Sequence, residues 1–214
     1  MEKTRKTFAR TVATTVGASA LLIAGTAQAA LQDRDLDGNG EVDAFYDTDL
    51  DITWLRDANV NGLRDWHAAV AWAAGFSLGG HSGWRLPATL QPDPGCDIQS
   101  DSESYGYNCT GSEMGHLWYV ELGNKAGGPM TNTGNFQNLK SDIYWSGTPY
   151  APEPGNAWNF HTGRGDQDAF FMTNLFYAMA VRPGDVPAVP EPQTYVLMLA
   201  GLAALALARR RPSN

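Results

Sequence analysis

The chain has 214 residues, 43% of them hydrophobic, and a formal net charge of −8. An acidic balance of this size repels phosphate backbones and anionic lipid, which argues against a nucleic-acid partner. Seven Trp, eight Tyr and 23 Gly point to an aromatic-rich, loop-rich domain and away from a helical bundle.

Residues 1–29 read as a secretory signal. Lys3, Arg5, Lys6 and Arg10 form a basic start, Val12 to Ala24 is mostly small or apolar, and Ala27–Ala29 is a small-residue cleavage site. The mature chain is expected to begin at Ala30. Residues 30–189 then form one domain, long enough for a real core. They carry eight basic and 21 acidic residues, a net charge of −13.

The domain opens with "DLDGNGEVD". Asp35, Asp37, Asn39 and Gly40 fit positions 1, 3, 5 and 6 of a calcium loop, in which alternate oxygens turn onto one hard cation. Tyr46 stands where the bidentate Glu belongs, so Asp43 or Asp47 would have to substitute. The loop reads equally as an exposed Asp/Gly turn entering a strand. Strands are predicted over 42–48 and 50–58 from their apolar alternation. Asp65 is placed to cap a helix over 66–74, with Trp66, Val70, Ala73 and Ala74 on one face and Gly75 as its stop. "GGHSGWRLP" is a loop, in which Arg85 is expected to serve as a hydrogen-bonding anchor.

Cys96 and Cys109 are the two cysteines. In an oxidising compartment such a pair forms a disulfide, and closing a loop this short stabilises by about 3 kcal/mol in the chain-entropy picture. Ser112 can cap a second helix over 113–122, with Met114, Leu117 and Val120 on one side and Gly123 as its stop. Strands are predicted over 141–148, 156–163 and 175–184. Trp145, Trp158 and Tyr150 could stack on sugar faces, although strand aromatics generally lie in cores. Gln91–Asp93 ("QPD") matches a sugar-selecting triplet of calcium-dependent lectins, but lies between the helices.

The tail has three parts. Pro190, Glu191 and Pro192 form a polar break, Tyr195–Ala208 carries no charge, and Arg209, Arg210 and Arg211 follow. As a helix the apolar run covers roughly 21 Å at ~1.5 Å per residue, short of a comfortable bilayer span. It suits transient membrane insertion with the arginines on the cytoplasmic side.

"VPEP", the apolar run and "RRR", in that order at the end of the chain, resemble the PEP-CTERM sorting signal. The resemblance implies that residues 190–214 are recognised and removed by an exosortase. It also implies a Gram-negative host that makes exopolysaccharide, and a route through the inner membrane and periplasm to secretion or the cell surface. "YDTDLDITWLRDAN", "GGHSGWRLP", "GSEMGHLWYVELGN", "YWSGT" and "FYAMAVRPGD" are similar to the Lcl_C family, named for the C-terminal domain of a collagen-like adhesin. That resemblance implies a C-type-lectin-like α+β fold over residues 30–189, two helices flanking small antiparallel sheets, with the first and last strands paired. It also implies a glycan partner, although so acidic a chain is a poor host for a sulfated one.

No enzyme is expected. His67, His81, His116 and His161 are scattered, and Glu113 with His116 lacks a second such pair. No nucleophile elbow, metalloprotease helix or phosphate loop is present. The reading is a secreted, non-catalytic binding or structural module with calcium as its one candidate cofactor. A matrix filler without a specific ligand, or a small hydrolase, is the alternative.

Overall fold

The computed structural model describes residues 31–100, 103–186 and 197–202, an α+β arrangement of three small antiparallel sheets and few helices. The first sheet runs in the order β1-β2-β3-β9, from β1 (Gln32–Arg34), β2 (Ala44–Asp47), β3 (Ile52–Leu55) and β9 (Val181–Pro183). Every residue of β3, "ITWL", is buried, as a short continuous apolar run permits when both faces are covered. β2 and β3 form a hairpin in which Asp47 pairs with Ile52.

Two expectations change here. β1 falls in a stretch for which no strand is predicted, because an edge strand pairs through its backbone and can keep polar side chains in solvent. The last strand pairs with β3, while β1 lies on the opposite edge, so first and last strands are not neighbours. The two ends of the sheet are instead tied by side chains: Arg34 donates twice to Asp185, at 2.6 and 3.1 Å.

The second sheet is the two-stranded hairpin β4 (Ile98–Gln99) and β5 (Ser104–Tyr105), enclosed by the Cys96–Cys109 disulfide. The third comprises β6 (Ile143–Pro149), β7 (Asn156–His161) and β8 (Asp166–Phe171), with a bulge in β6 between Trp145 and Pro149. β8 was not foreseen, because "DQDAFF" begins with three polar residues; it gains its place as an edge strand fully paired to β7. The strand expected over 175–184 shortens to β9, with Phe176 and Tyr177 making single bridges to Arg64 and Tyr144.

The first helix, α1 (Trp66–Gly75), starts where the Asp65 carboxylate accepts the Ala68 N–H at 2.9 Å. Ala69 and Ala73, not Ala74, are its buried residues, and they pack with Trp145 and Leu86. The second, α2 (Glu113–His116), continues as a π-helical turn over Leu117–Glu121, closed by Leu122 N–H to Leu117 C=O at 2.9 Å. Ser112 holds the N-cap position without capping; its hydroxyl accepts the Leu90 N–H at 3.0 Å. Widening the turn leaves Val120 exposed and brings Trp118 and Leu122 into the core beside Met114 and Leu117. That core joins the helix to Phe45, Trp54 and Val181 of the first sheet and to Tyr144 and Phe160 of the third.

Residues 197–202 are helical, and Leu197, Met198, Leu199 and Leu202 are largely exposed, so this part of the apolar run is not core. The predicted signal over 1–29, Pro190, Glu191, Pro192, Arg209, Arg210 and Arg211 lie outside the described residues. Among the described residues no helix is long and apolar enough to cross a membrane.

Candidate functional site

The third sheet and the disulfide hairpin meet at an open cleft of about 300 Å³. Its walls include Tyr105 and Glu103 from the hairpin, Tyr150 and Glu153 from the β6–β7 turn, and Asp168 from β8; Trp158 lies on its floor. The hairpin is fastened there by paired backbone hydrogen bonds between Gly106 and Gln167, at 2.9 and 2.8 Å. The Tyr150 hydroxyl donates to Glu103 Oε2 at 2.8 Å, and Asn156 Nδ2 donates to Glu153 Oε2 at 2.7 Å. The Tyr150–Glu103 hydrogen bond, which favours the neutral phenol, pushes Tyr150 up to about 12. The cleft therefore combines aromatic surface with three carboxylates, two oriented by side chains and Asp168 by the Ala169 N–H at 2.8 Å.

The three aromatic candidates part company. Trp145 is fully enclosed; its indole N–H donates to the Arg64 carbonyl at 3.0 Å and its ring packs against Phe176. It has no face to offer a ligand, so the stacking assignment is corrected to a core role. Trp158 is only 3% exposed and meets the Tyr150 ring edge-on at 5.2 Å, so it supports the platform and does not form it. Tyr150 is half-buried in the cleft wall, and Tyr105, 38% exposed, is the aromatic that the sequence did not single out. Its short hairpin reads as loop, and nothing local to it signals that it folds across β8.

At the Asp/Gly loop, Asp35, Asp37 and Asp43 each bring a carboxylate oxygen within 4.8 Å of the others. Asp35 accepts N–H groups from Gly38 and Gly40, at 2.7 and 2.8 Å, and these backbone donors, Gly40 first, hold it below the usual carboxylate range. Gly38 and Gly40 sit at φ +77° and +90°, which glycine adopts without steric cost. Asn39 spends its side-chain oxygen on the Glu41 N–H at 2.7 Å, and Asp43 accepts from the Leu36 N–H at 2.9 Å. Asp47, considered for the missing last position of the loop, belongs to a different cluster with His116 and Glu121.

Asp93 of the "QPD" triplet is fully buried. Its oxygens accept from the N–H groups of Gly95, Gly111 and Ser112 at 2.9–3.0 Å, so it organises the disulfide loop. Glu113 is equally committed: it receives a two-pronged ion pair from Arg85 at 2.6 and 2.7 Å and the Ala88 N–H at 2.7 Å. Arg85 is the loop anchor expected of it.

The family model described as Lcl C-terminal domain matches residues 43–182, and the one described as PEP-CTERM protein-sorting motif matches residues 188–211. No curated protein matches the chain.

Proposed function

From the premise that this chain belongs to the Lcl C-terminal domain family and ends in a PEP-CTERM sorting motif, we propose that it is an exported, non-catalytic glycan-binding module of the bacterial surface or exopolysaccharide matrix. The sorting motif supports export in a Gram-negative bacterium with an exosortase as processing partner. Helices packed against three small antiparallel sheets support a C-type-lectin-like fold. The observation that carries the binding reading is the cleft of Tyr105, Tyr150, Glu103, Glu153 and Asp168.

Aromatic rings give apolar sugar faces a stacking surface, and fixed carboxylates accept sugar hydroxyl or ammonium protons. Three carboxylates repel sulfate and uronate groups, so neutral or amino sugars are the preferred class. Calcium, if taken up, belongs at the Asp35, Asp37 and Asp43 carboxylates, whose hard oxygens suit it and whose place before β2 gives it a structural role. Calorimetry with calcium on Asp35→Ala and Asp37→Ala variants tests that part: unchanged heats would end it.

The main test is a glycan array probed with the purified exported protein, followed by Tyr150→Ala and Tyr105→Ala. Binding to neutral or amino glycans that both variants lose is expected. An empty array at every calcium level would favour a matrix filler without a ligand.

A further inference from the structure

Away from the cleft, the end of β2 meets the π turn. Asp47 is fully buried, the Glu121 side chain is 2% exposed and the His116 side chain 12%. His116 Nε2 lies 3.4 Å from Glu121 Oε1 and 4.0 Å from Asp47 Oδ2, and one ligand atom from each residue falls within 4.8 Å of the others. Yet His116 Nε2 and Glu121 Oε1 are both buried, and beyond their long 3.4 Å approach to each other neither has a hydrogen-bond partner. Buried polar atoms are nearly always well partnered, so two that meet only at this length, beside a third buried carboxylate, form a place for a shared cation.

The local structure builds this convergence. In an α-helix residues five apart point about 140° away from each other. The π turn, closed by the Leu122–Leu117 bond, instead stacks Glu121 beside His116. Such turns recur at functional sites. Asp47 is oriented independently: its Oδ1 accepts the Asp49 and Leu50 N–H groups at 3.1 and 3.0 Å, leaving Oδ2 to face His116 and the Trp54 indole N–H at 3.3 Å. Two carboxylates held together in the interior need a counter-charge.

We propose that Asp47, His116 and Glu121 form a binding site for one divalent first-row metal ion of the zinc or manganese class. One imidazole nitrogen and two carboxylate oxygens suit these ions better than calcium, which takes oxygen alone. A tetrahedral zinc with ligands at ~2.0–2.1 Å holds them about 3.3 Å apart, the spacing His116 and Glu121 already have, and Asp47, 4.0 Å from His116 Nε2, moves inward to join them. Its role is structural, stapling the β2–β3 turn to the π turn across the core.

The test uses the full exported chain stripped with a chelator and titrated with Zn2+ and, separately, Mn2+. One equivalent should bind and raise the melting temperature. Glu121→Gln and His116→Gln should weaken binding by more than about 100-fold, beyond what losing an outer-shell partner does. The Asp35→Asn/Asp37→Asn double variant should bind as the parent does. X-ray absorption of the zinc-loaded parent needs no variant and should show one nitrogen of imidazole type and carboxylate oxygens around the metal. Absence of stoichiometric binding, a first shell without imidazole, or a melting temperature that added metal leaves unchanged would overturn the site.

Discussion

Glu113 shows how one side chain can set a long loop. It receives Arg85 from the "GWRLP" stretch and the Ala88 N–H, so a single carboxylate fixes the approach of that stretch to α2. Replacing Glu113 with Ala leaves the half-buried guanidinium unpaired and is expected to cost about 2 kcal/mol in urea denaturation, the scale of hydrogen bonds to charged groups. Arg85→Lys should lose part of that, because an ammonium cannot make the two-pronged contact. Tyr150 gives a pH-dependent expectation. Its folded-state pKa is raised from 10 to about 12 by the hydrogen bond to Glu103, so the neutral phenol is favoured on folding. The contribution is complete below pH 10 and is lost as the pH rises toward 12. Burial also raises Tyr119 and Tyr144, so phenolate absorbance during alkaline titration should show several late tyrosines, of which Glu103→Gln moves one, Tyr150, to lower pH. The Arg85 anchor was legible in the sequence because a buried or half-buried Arg in a Gly/Pro loop must find acceptors. The partner was not, because it stands 28 residues away.

Among the elements, those with strong local patterning were the legible ones. β3 announced itself by "ITWL", α1 by Asp65 and its alanines, and the disulfide by two cysteines 13 residues apart. Edge strands β1 and β8 did not, because their side chains are free to be polar and only their partners define them. The π turn was equally hidden: "LWYVE" has an ordinary helical composition, and burial of Trp118 against Phe160 and the Thr162 carbonyl accompanies the change in its winding. α2 itself lies so close to the disulfide loop that a Cβ on Gly115 would run into the Cys109 carbonyl. Gly115→Ala should therefore destabilise by about 1–3 kcal/mol, the usual cost of overpacking, read as a lower melting temperature. Removing the disulfide with Cys96→Ala/Cys109→Ala should cost about 3 kcal/mol. The same variant should lose the proposed glycan binding before it loses the fold, since Glu103 and Tyr105 sit inside the loop that the bond closes.

At the scale of the whole molecule, the two ends and the globule between them answer to different constraints. The tail was read from its order of polar break, apolar run and arginines, and its match to a sorting motif over 188–211 agrees with that reading. Mass spectrometry of the native extracellular protein should find a chain that starts near residue 30 and stops near residue 190. An intact Arg209–Arg211 tail on a secreted copy would refute sorting. The remaining domain carries −13, so if the cleft takes sugars as proposed, salt should weaken binding of amino sugars and leave neutral sugars almost untouched, a difference that binding at two ionic strengths would reveal. The candidate cleft was only partly foreseen, because it is assembled from three segments, 103–105, 150–158 and 168, that have nothing in common until β4 and β5 fold across β8. That clasped hairpin also times the protein's competence. A copy still inside the reducing cytoplasm keeps two free thiols and an unfinished wall, and so is expected to leave the cell's own sugar pools alone. On the proposed reading, only oxidation after export completes the sugar-binding cleft.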